Sequence, residues 1–218
     1  MQCRFSIWKF TWCCKGYKIN IAVISGGNSE ERLVSIRTGE AIAEACNQLG
    51  YKTSKFVLDS DSIDLILKDL KTHDFIFIAL HGSFGEDGVI QSILSKNNIP
   101  FNGSNEESSR NCFNKSVTKD IVMNQGILSP KYYHTSSNIC NDHIDFNSEK
   151  YIVKPNSQGS SVGFNVVDNF ENLNDAIDIA LDFDSSVLIE EFIDGREITV
   201  PILEDEPMPV IEIEPKSG

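Results

Sequence analysis

The chain has 218 residues, 40% of them hydrophobic and 23% charged, with a formal net charge of -13. That is enough apolar material for one or two globular domains. The acidic balance argues against broad binding to nucleic acid or to an anionic membrane surface, while leaving room for a local basic pocket.

The first residues differ from the rest. Residues 1–17 hold both tryptophans, Trp8 and Trp12, and three of the six cysteines, Cys3, Cys13 and Cys14. Lys9 interrupts the apolar stretch and no small-residue cleavage site follows, so a signal peptide fits poorly, and the stretch is too short to span a membrane. The Cys13–Cys14 pair could carry palmitoylation; a disordered N-terminal arm is the simpler expectation. The other cysteines, Cys46, Cys112 and Cys140, complete no zinc-ribbon or Cys-x-x-Cys spacing, and a reduced, cytoplasmic setting fits best.

From Lys18 strands and helices alternate. Residues 18–25 read as a buried strand, and 30–49 as a helix with Leu33, Ile36, Ala41, Ala45 and Leu49 on or near one face. Gly50 stops it. A strand at 53–58, a helix at 62–70, a strand at 74–80, a helix at 88–96 and a short strand from Ile99 follow. This order predicts βαβ units, a parallel sheet and right-handed crossovers. Past Phe101 the pattern changes. A helix is expected over 111–124 and loop over 134–149. Then come strands at 151–153 and 164–167, a helix at 172–181, and strands at 187–192, 197–203 and 209–214. The expected class is therefore α/β, a Rossmann-like parallel sheet over 18–105 followed by an α+β domain over 106–218, with the boundary near 102–110.

The sharpest chemical signal is Lys154-Pro155-Asn156-Ser157-Gln158-Gly159-Ser160-Ser161-Val162-Gly163, lying between two short strands. A cation beside a loop of small residues makes an anion-binding concavity suited to phosphate. No Gly-Lys-Ser/Thr opens a helix, so this is not a P-loop; a flexible surface turn is the competing reading. Two further runs stand at the carboxyl ends of strands, where open parallel sheets bind ligands. In Gly26-Gly27-Asn28-Ser29-Glu30-Glu31-Arg32, Asn28 and Glu31 fit a capping box, and Glu31 could instead bind a ligand amine. In His81-Gly82-Ser83-Phe84-Gly85-Glu86-Asp87-Gly88, three glycines within seven residues point to close backbone approach. Glu190-Glu191-Phe192-Ile193-Asp194-Gly195-Arg196-Glu197 reads as a hairpin turning at Asp194-Gly195. It could also line a nucleotide cleft.

In this order, His81–Gln91 (HGxxGEDGxxQ), Lys154–Gly163 (KPxxxGSSxG) and Glu190–Glu197 (ExxxxGRE) resemble the D-alanine–D-alanine ligases of the ATP-grasp superfamily. The resemblance runs over about residues 18–218 and makes the second unit an incomplete ATP-grasp domain. It implies an ATP-dependent enzyme that joins two D-alanines through an acyl phosphate, for peptidoglycan. It further implies that Glu31 holds the first ammonium, with His81 beside that substrate and Ser161 near its carboxylate. Glu86 would be a buried member ordering these groups. Lys115 and Lys154 would contact ATP phosphates under Gly159, Ser160, Ser161, Val162 and Gly163. Glu190, Glu191, Phe192 and Ile193 would meet adenine, and Glu197 the ribose.

Departures from the family pattern shape the remaining expectations. The family's covering tyrosine and lysine loop, its arginine and its Mg²⁺ ligands have no counterpart up to Gly218, so no metal ligand is carried over. The chain is expected to be a fragment of such a ligase, or one half of a split enzyme completed by a partner chain. An inactive nucleotide-binding fragment, or another ATP-grasp carboxylate–amine ligase, are the alternatives. A homodimer is expected from the family; nucleic-acid and membrane partners are not.

Overall fold

The computed structural model describes residues 19–60, 62–139, 144–203 and 205–214. The expected N-terminal arm with its Cys13–Cys14 pair lies outside the described residues.

Alternating apolar runs and polar breaks build the first unit. Strand β1 (Asn20–Gly26) leads to helix α1 (Arg32–Gln48), then β2 (Lys52–Leu58), the short α2 (Leu67–Leu70), β3 (Phe75–Ile78) and α3 (Val89–Lys96). The strands pair in parallel in the order β2-β1-β3, with Ile21 opposite both Thr53 and Phe75. The expected fourth strand is a single parallel bridge, Ile76 to Phe101. Because β1 is central, its side chains are buried on both faces. Ala22 and Ile24 join Leu58, Ile63, Leu70, Ile76, Leu80, Ile90 and Leu94 on one side. Ile21 and Val23 join Ala43, Cys46 and Ala79 on the other. The expected helix at 62–70 shortens to its last turn.

The buried face of α1 is not the one periodicity suggested. Leu33 and Leu49 are exposed, and Ser35, Gly39, Ala43 and Cys46 are buried instead. The reason is close packing. A Cβ on Gly39 would fall 2.7 Å from the Ser25 Cβ, so only small residues fit against β1. Ser35 adds a polar tie, its Oγ accepting from the Gly26 N–H and donating to the Ala79 carbonyl. Burial raises the Cys46 thiol pKa, as for a thiol used for packing.

The region expected as one helix over 111–124 is two, α4 (Glu106–Phe113) and α5 (Lys115–Asn124). Asn105 and Asn114 each cap the next helix, accepting from the Ser108 and Val117 N–H groups. Asn114 is extended, which breaks the helical run. Next come β4 (Tyr132–Thr135), β5 (Tyr151–Pro155), β6 (Asn165–Val167), a 3-10 turn at Phe170–Asn172, α6 (Leu173–Leu181) and β7 (Val187–Glu191). The antiparallel sheet has the order β4-β7-β5-β6. β4 falls where loop was expected from His134 onward. Helix α6 covers this sheet with Leu173, Ala176, Ile177 and Ala180, against Val153, Val187 and Ile189.

The chain then forms β8 (Glu197–Thr199), β9 (Ile202–Leu203), β10 (Glu206–Pro207) and β11 (Ile211–Ile213). β8 pairs with β11, and β9 with β10, both antiparallel. The expected hairpin at Asp194-Gly195 does not form: β7 belongs to the four-stranded sheet and β8 to a separate pair. Every described residue from Phe192 to Glu214 is exposed.

Candidate active site

Glu31 stands at the amino end of α1, and it is the residue preceding the helix. The helix begins only at Arg32 and Glu31 itself holds the cap position without a capping hydrogen bond from its side chain, so Asn28 is not the N-cap that the expected Asn28–Glu31 capping box needs. The Glu31 carboxylate points elsewhere. Its Oε1 accepts a short hydrogen bond from the Ser160 hydroxyl, which lies 129 positions away in sequence. A Cβ on Gly159 would sit 3.1 Å from Glu31 Oε2, and one on Gly82 3.3 Å from the same oxygen. Three separate runs of the chain therefore converge on one carboxylate. Gly82 needs its glycine twice over: its φ is +70°, and a Cβ would also fall 3.0 Å from the Ser29 Cβ.

Beside it, His81 is fixed at both ring nitrogens. Nε2 lies 3.2 Å from Thr38 Oγ1, and Nδ1 lies 3.3 Å from Glu86 Oε1. The other oxygen of Glu86 accepts from the Gly82 N–H at 3.1 Å. Glu86 thus contacts both His81 and Gly82, but it is not buried as expected: its side chain is 45% exposed. A cavity of about 510 Å³ opens along His81 and Glu86, with Thr38, Phe77 and Cys112 among its walls.

The glycine–serine loop joins β5 to β6, which pair as an antiparallel hairpin with Val153 opposite Asn165. Ser160, Ser161 and Gly163 all have positive φ, so the loop curls tightly. The N–H groups of Val162 and Phe164 are used inside it, donating to Gly159 and Ser161. Its root is anchored by Asn156, buried, whose Oδ1 accepts from the Ser116 N–H, and by Asp184, which accepts from the Ser157 N–H at 2.6 Å. The hydroxyl reaching Glu31 belongs to Ser160.

Lys115, in the first turn of α5, donates to the Asn156 and Gln158 carbonyls at 3.4 and 2.5 Å. Burial pushes its ammonium below the ordinary lysine range, and the adjacent positive charge of Lys154 pushes the same way. The two expected phosphate lysines are thus close enough to repel each other.

Glu190, expected beside adenine, carries a paired charge. Its carboxylate is buried, at 5% exposure, with Oε2 2.8 Å from Lys154 Nζ and Oε1 3.1 Å from Lys119 Nζ. Lys119 is the residue that sequence reasoning passed over. It is 8% exposed; its contact with Glu190 Oε1 is an ion pair outside hydrogen-bond geometry, and it donates to Ser129 Oγ and the Pro130 carbonyl, with its ammonium 5.3 Å from the Tyr132 ring centre. One signal for it was present: it lies four residues after Lys115, one turn along the same helix. The neighbouring N–H groups of Glu191 and Phe192 donate to Lys131 and Lys150, so both are already used within the protein. Ile193 and Glu197 are exposed, and Glu197 pairs with Ile213.

A parallel α/β unit faced by a hairpin loop from an antiparallel α+β unit, with lysines gathered behind the loop, defines the ATP-grasp class of ligases. Comparison with known proteins gives the family. Residues 59–104 match the model described as "D-ala D-ala ligase N-terminus", and 120–217 that described as "D-ala D-ala ligase C-terminus". A D-alanine–D-alanine ligase of Aquifex aeolicus is 38% identical over 92% of this chain and 68% of its own length. One of Methylacidiphilum infernorum is 38% identical over 91% of the chain and 63% of its own. The Bacillus anthracis ligase, solved with ATP, superposes with a TM-score of 0.81 at 32% identity, over 92% of this chain and 67% of that one. The chain belongs to the D-alanine–D-alanine ligase family. It spans about two thirds of the length of these relatives.

Proposed function

We propose that the chain supplies the amino-acid and phosphate-binding parts of an ATP-dependent ligase that joins two D-alanines. In this reading the γ-phosphoryl group passes from ATP to the carboxylate of the first D-alanine, giving an acyl phosphate and ADP. The amine of the second D-alanine then attacks the acyl carbon, and inorganic phosphate leaves. Phosphoryl transfer depends mostly on positioning and on neutralising charge. Lys115, Lys154 and the amides of Gly159, Ser160 and Ser161 serve that purpose. Glu31 takes the first ammonium, with His81 held beside it by Thr38 and Glu86.

The observation that carries this reading is the contact between Ser160 of the phosphate loop and Glu31 of the first unit. It supports the reading because it sets the proposed phosphate loop against the carboxylate proposed to take the amino acid. Among the described residues no group of three or more His, Cys, Asp or Glu is placed to hold a metal ion. No helix of the described residues is long and apolar enough to cross a membrane.

A second reading, a nucleotide-binding chain without turnover of its own, is favoured by the exposure of all described residues from Phe192 to Glu214. Calorimetry with a non-hydrolysable ATP analogue should show binding to this chain. Phosphate release with D-alanine and Mg-ATP should be weak unless a chain carrying the relatives' remaining third is added. Absence of binding heat would remove the ligase reading. A panel of D-amino acids and D-lactate, tested on that completed assembly, separates a D-alanine enzyme from another carboxylate–amine ligase.

A further inference from the structure

Building on the nucleotide reading above, we propose that Lys119 is a positioning residue: it shares Glu190 with Lys154 and so keeps Lys154 available to the nucleotide phosphates. The geometry divides one carboxylate between two cations, one oxygen each, at 2.8 and 3.1 Å. The two cations are not equivalent. Lys119 is held by Ser129 Oγ at 2.9 Å, the Pro130 carbonyl at 3.0 Å and the Tyr132 ring, and its side chain is 10% exposed. It has no route to a ligand. The Lys154 side chain is 23% exposed and stands beside Lys115 at the root of the phosphate loop.

The charge arithmetic follows from this. A buried carboxylate cannot be left without a counter-ion. With Lys154 as its only partner, Glu190 would form a closed neutral pair, and a phosphate would have to break that pair before using the lysine. With Lys119 fixed on the other oxygen, Glu190 stays compensated when Lys154 turns toward a phosphate. The three groups carry a net single positive charge, and Lys115 adds a second. Burial lowers the Lys119 pKa, while Glu190 acts in the opposite direction and favours the charged form. The carboxylate of the adjacent Glu191 accepts from the Lys131 N–H at 2.8 Å and adds to the field that keeps Lys119 charged.

The test compares a non-hydrolysable ATP analogue with adenosine, by calorimetry on the 218-residue chain. Lys119→Met should weaken the ATP analogue by about tenfold, the scale of one charge-assisted contact, and leave adenosine unchanged. Lys119→Arg should recover most of the loss. Lys119→Met/Glu190→Gln should also recover it, because the carboxylate that captures Lys154 is gone. Parallel losses for both ligands in Lys119→Met, or no loss for either, would overturn the inference while leaving the nucleotide reading intact. A native chain that binds neither ligand would overturn both. Should Lys119→Met fail to fold by circular dichroism, Glu190→Gln alone decides. It should tighten the ATP analogue relative to adenosine, and a weakening relative to adenosine refutes the proposal.

Discussion

Helix α6 contains a matched pair of isoleucines that tests how the second unit is held together. Ile177 is fully buried against the sheet, and Ile179, two residues on, is 48% exposed. Ile177 packs within the cluster that includes Val153 of β5 and Val187 and Ile189 of β7. These strands also carry Lys154 and Glu190, so the helix sets the platform for the charged groups. Ile177→Ala removes buried methyl and methylene groups and leaves a cavity, at a cost of about 2–5 kcal/mol. With about 2–4 °C of melting temperature per kcal/mol for a chain of this size, the expected drop is roughly 4–20 °C. Ile177→Val should cost only about 0.5–1.5 kcal/mol. Ile179→Ala should stay within about 0.5 kcal/mol of the native protein. Urea titration followed by circular dichroism measures all three variants. Equal losses at positions 177 and 179 would refute the account of which α6 face is buried.

Ser160→Ala should free the loop from Glu31 and raise its rate of proteolytic cleavage between residues 157 and 164, whereas Ser161→Ala should not. Equal cleavage of the two variants would count against the Ser160 assignment. Gly82→Ala forces a side chain into positive φ and toward Ser29 and Glu31; it should cost about 1–2 kcal/mol, read from a denaturant melt. Tyr132 donates a short hydrogen bond to Asp120, and burial together with that bond raises its phenol pKa to about 12 from an ordinary value of 10. A raised folded-state pKa means that the stabilisation is complete below pH 10 and is lost as pH rises toward 12. Screening at this half-buried site limits it to about 1 kcal/mol. Tyr132→Phe should flatten the stability profile above pH 10, and an unchanged slope would exclude Tyr132 as its source.

Much of the architecture was legible in the residues, because it rests on local rules. Apolar runs such as IAVIS and FIFI could only be buried strands, and their alternation with helical stretches required a parallel sheet. The loop from Lys154 to Gly163 stood out through composition alone, as did the glycine-rich run after β3. Local rules misled where the neighbour across the fold was decisive. The stripe of larger apolar residues on α1 was a reasonable core face until Gly39 met Ser25. Asp194-Gly195 has the composition of a hairpin turn, but the strands on either side of it pair with other strands. Asn28 and Glu31 have capping-box spacing, but Glu31 serves a partner from the other unit.

The amino-acid order by itself determined the strand and helix alternation, the glycine–serine loop and the presence of a carboxylate and a histidine at strand ends. These depend on periodicity, glycine content and charge within a few residues. Tertiary structure alone decided that Ser160 meets Glu31 and that Glu190 is shared between Lys119 and Lys154. Those pairings join residues dozens of positions apart, and a charge buried among them is tolerable only because packing delivers its counter-ion to the same spot.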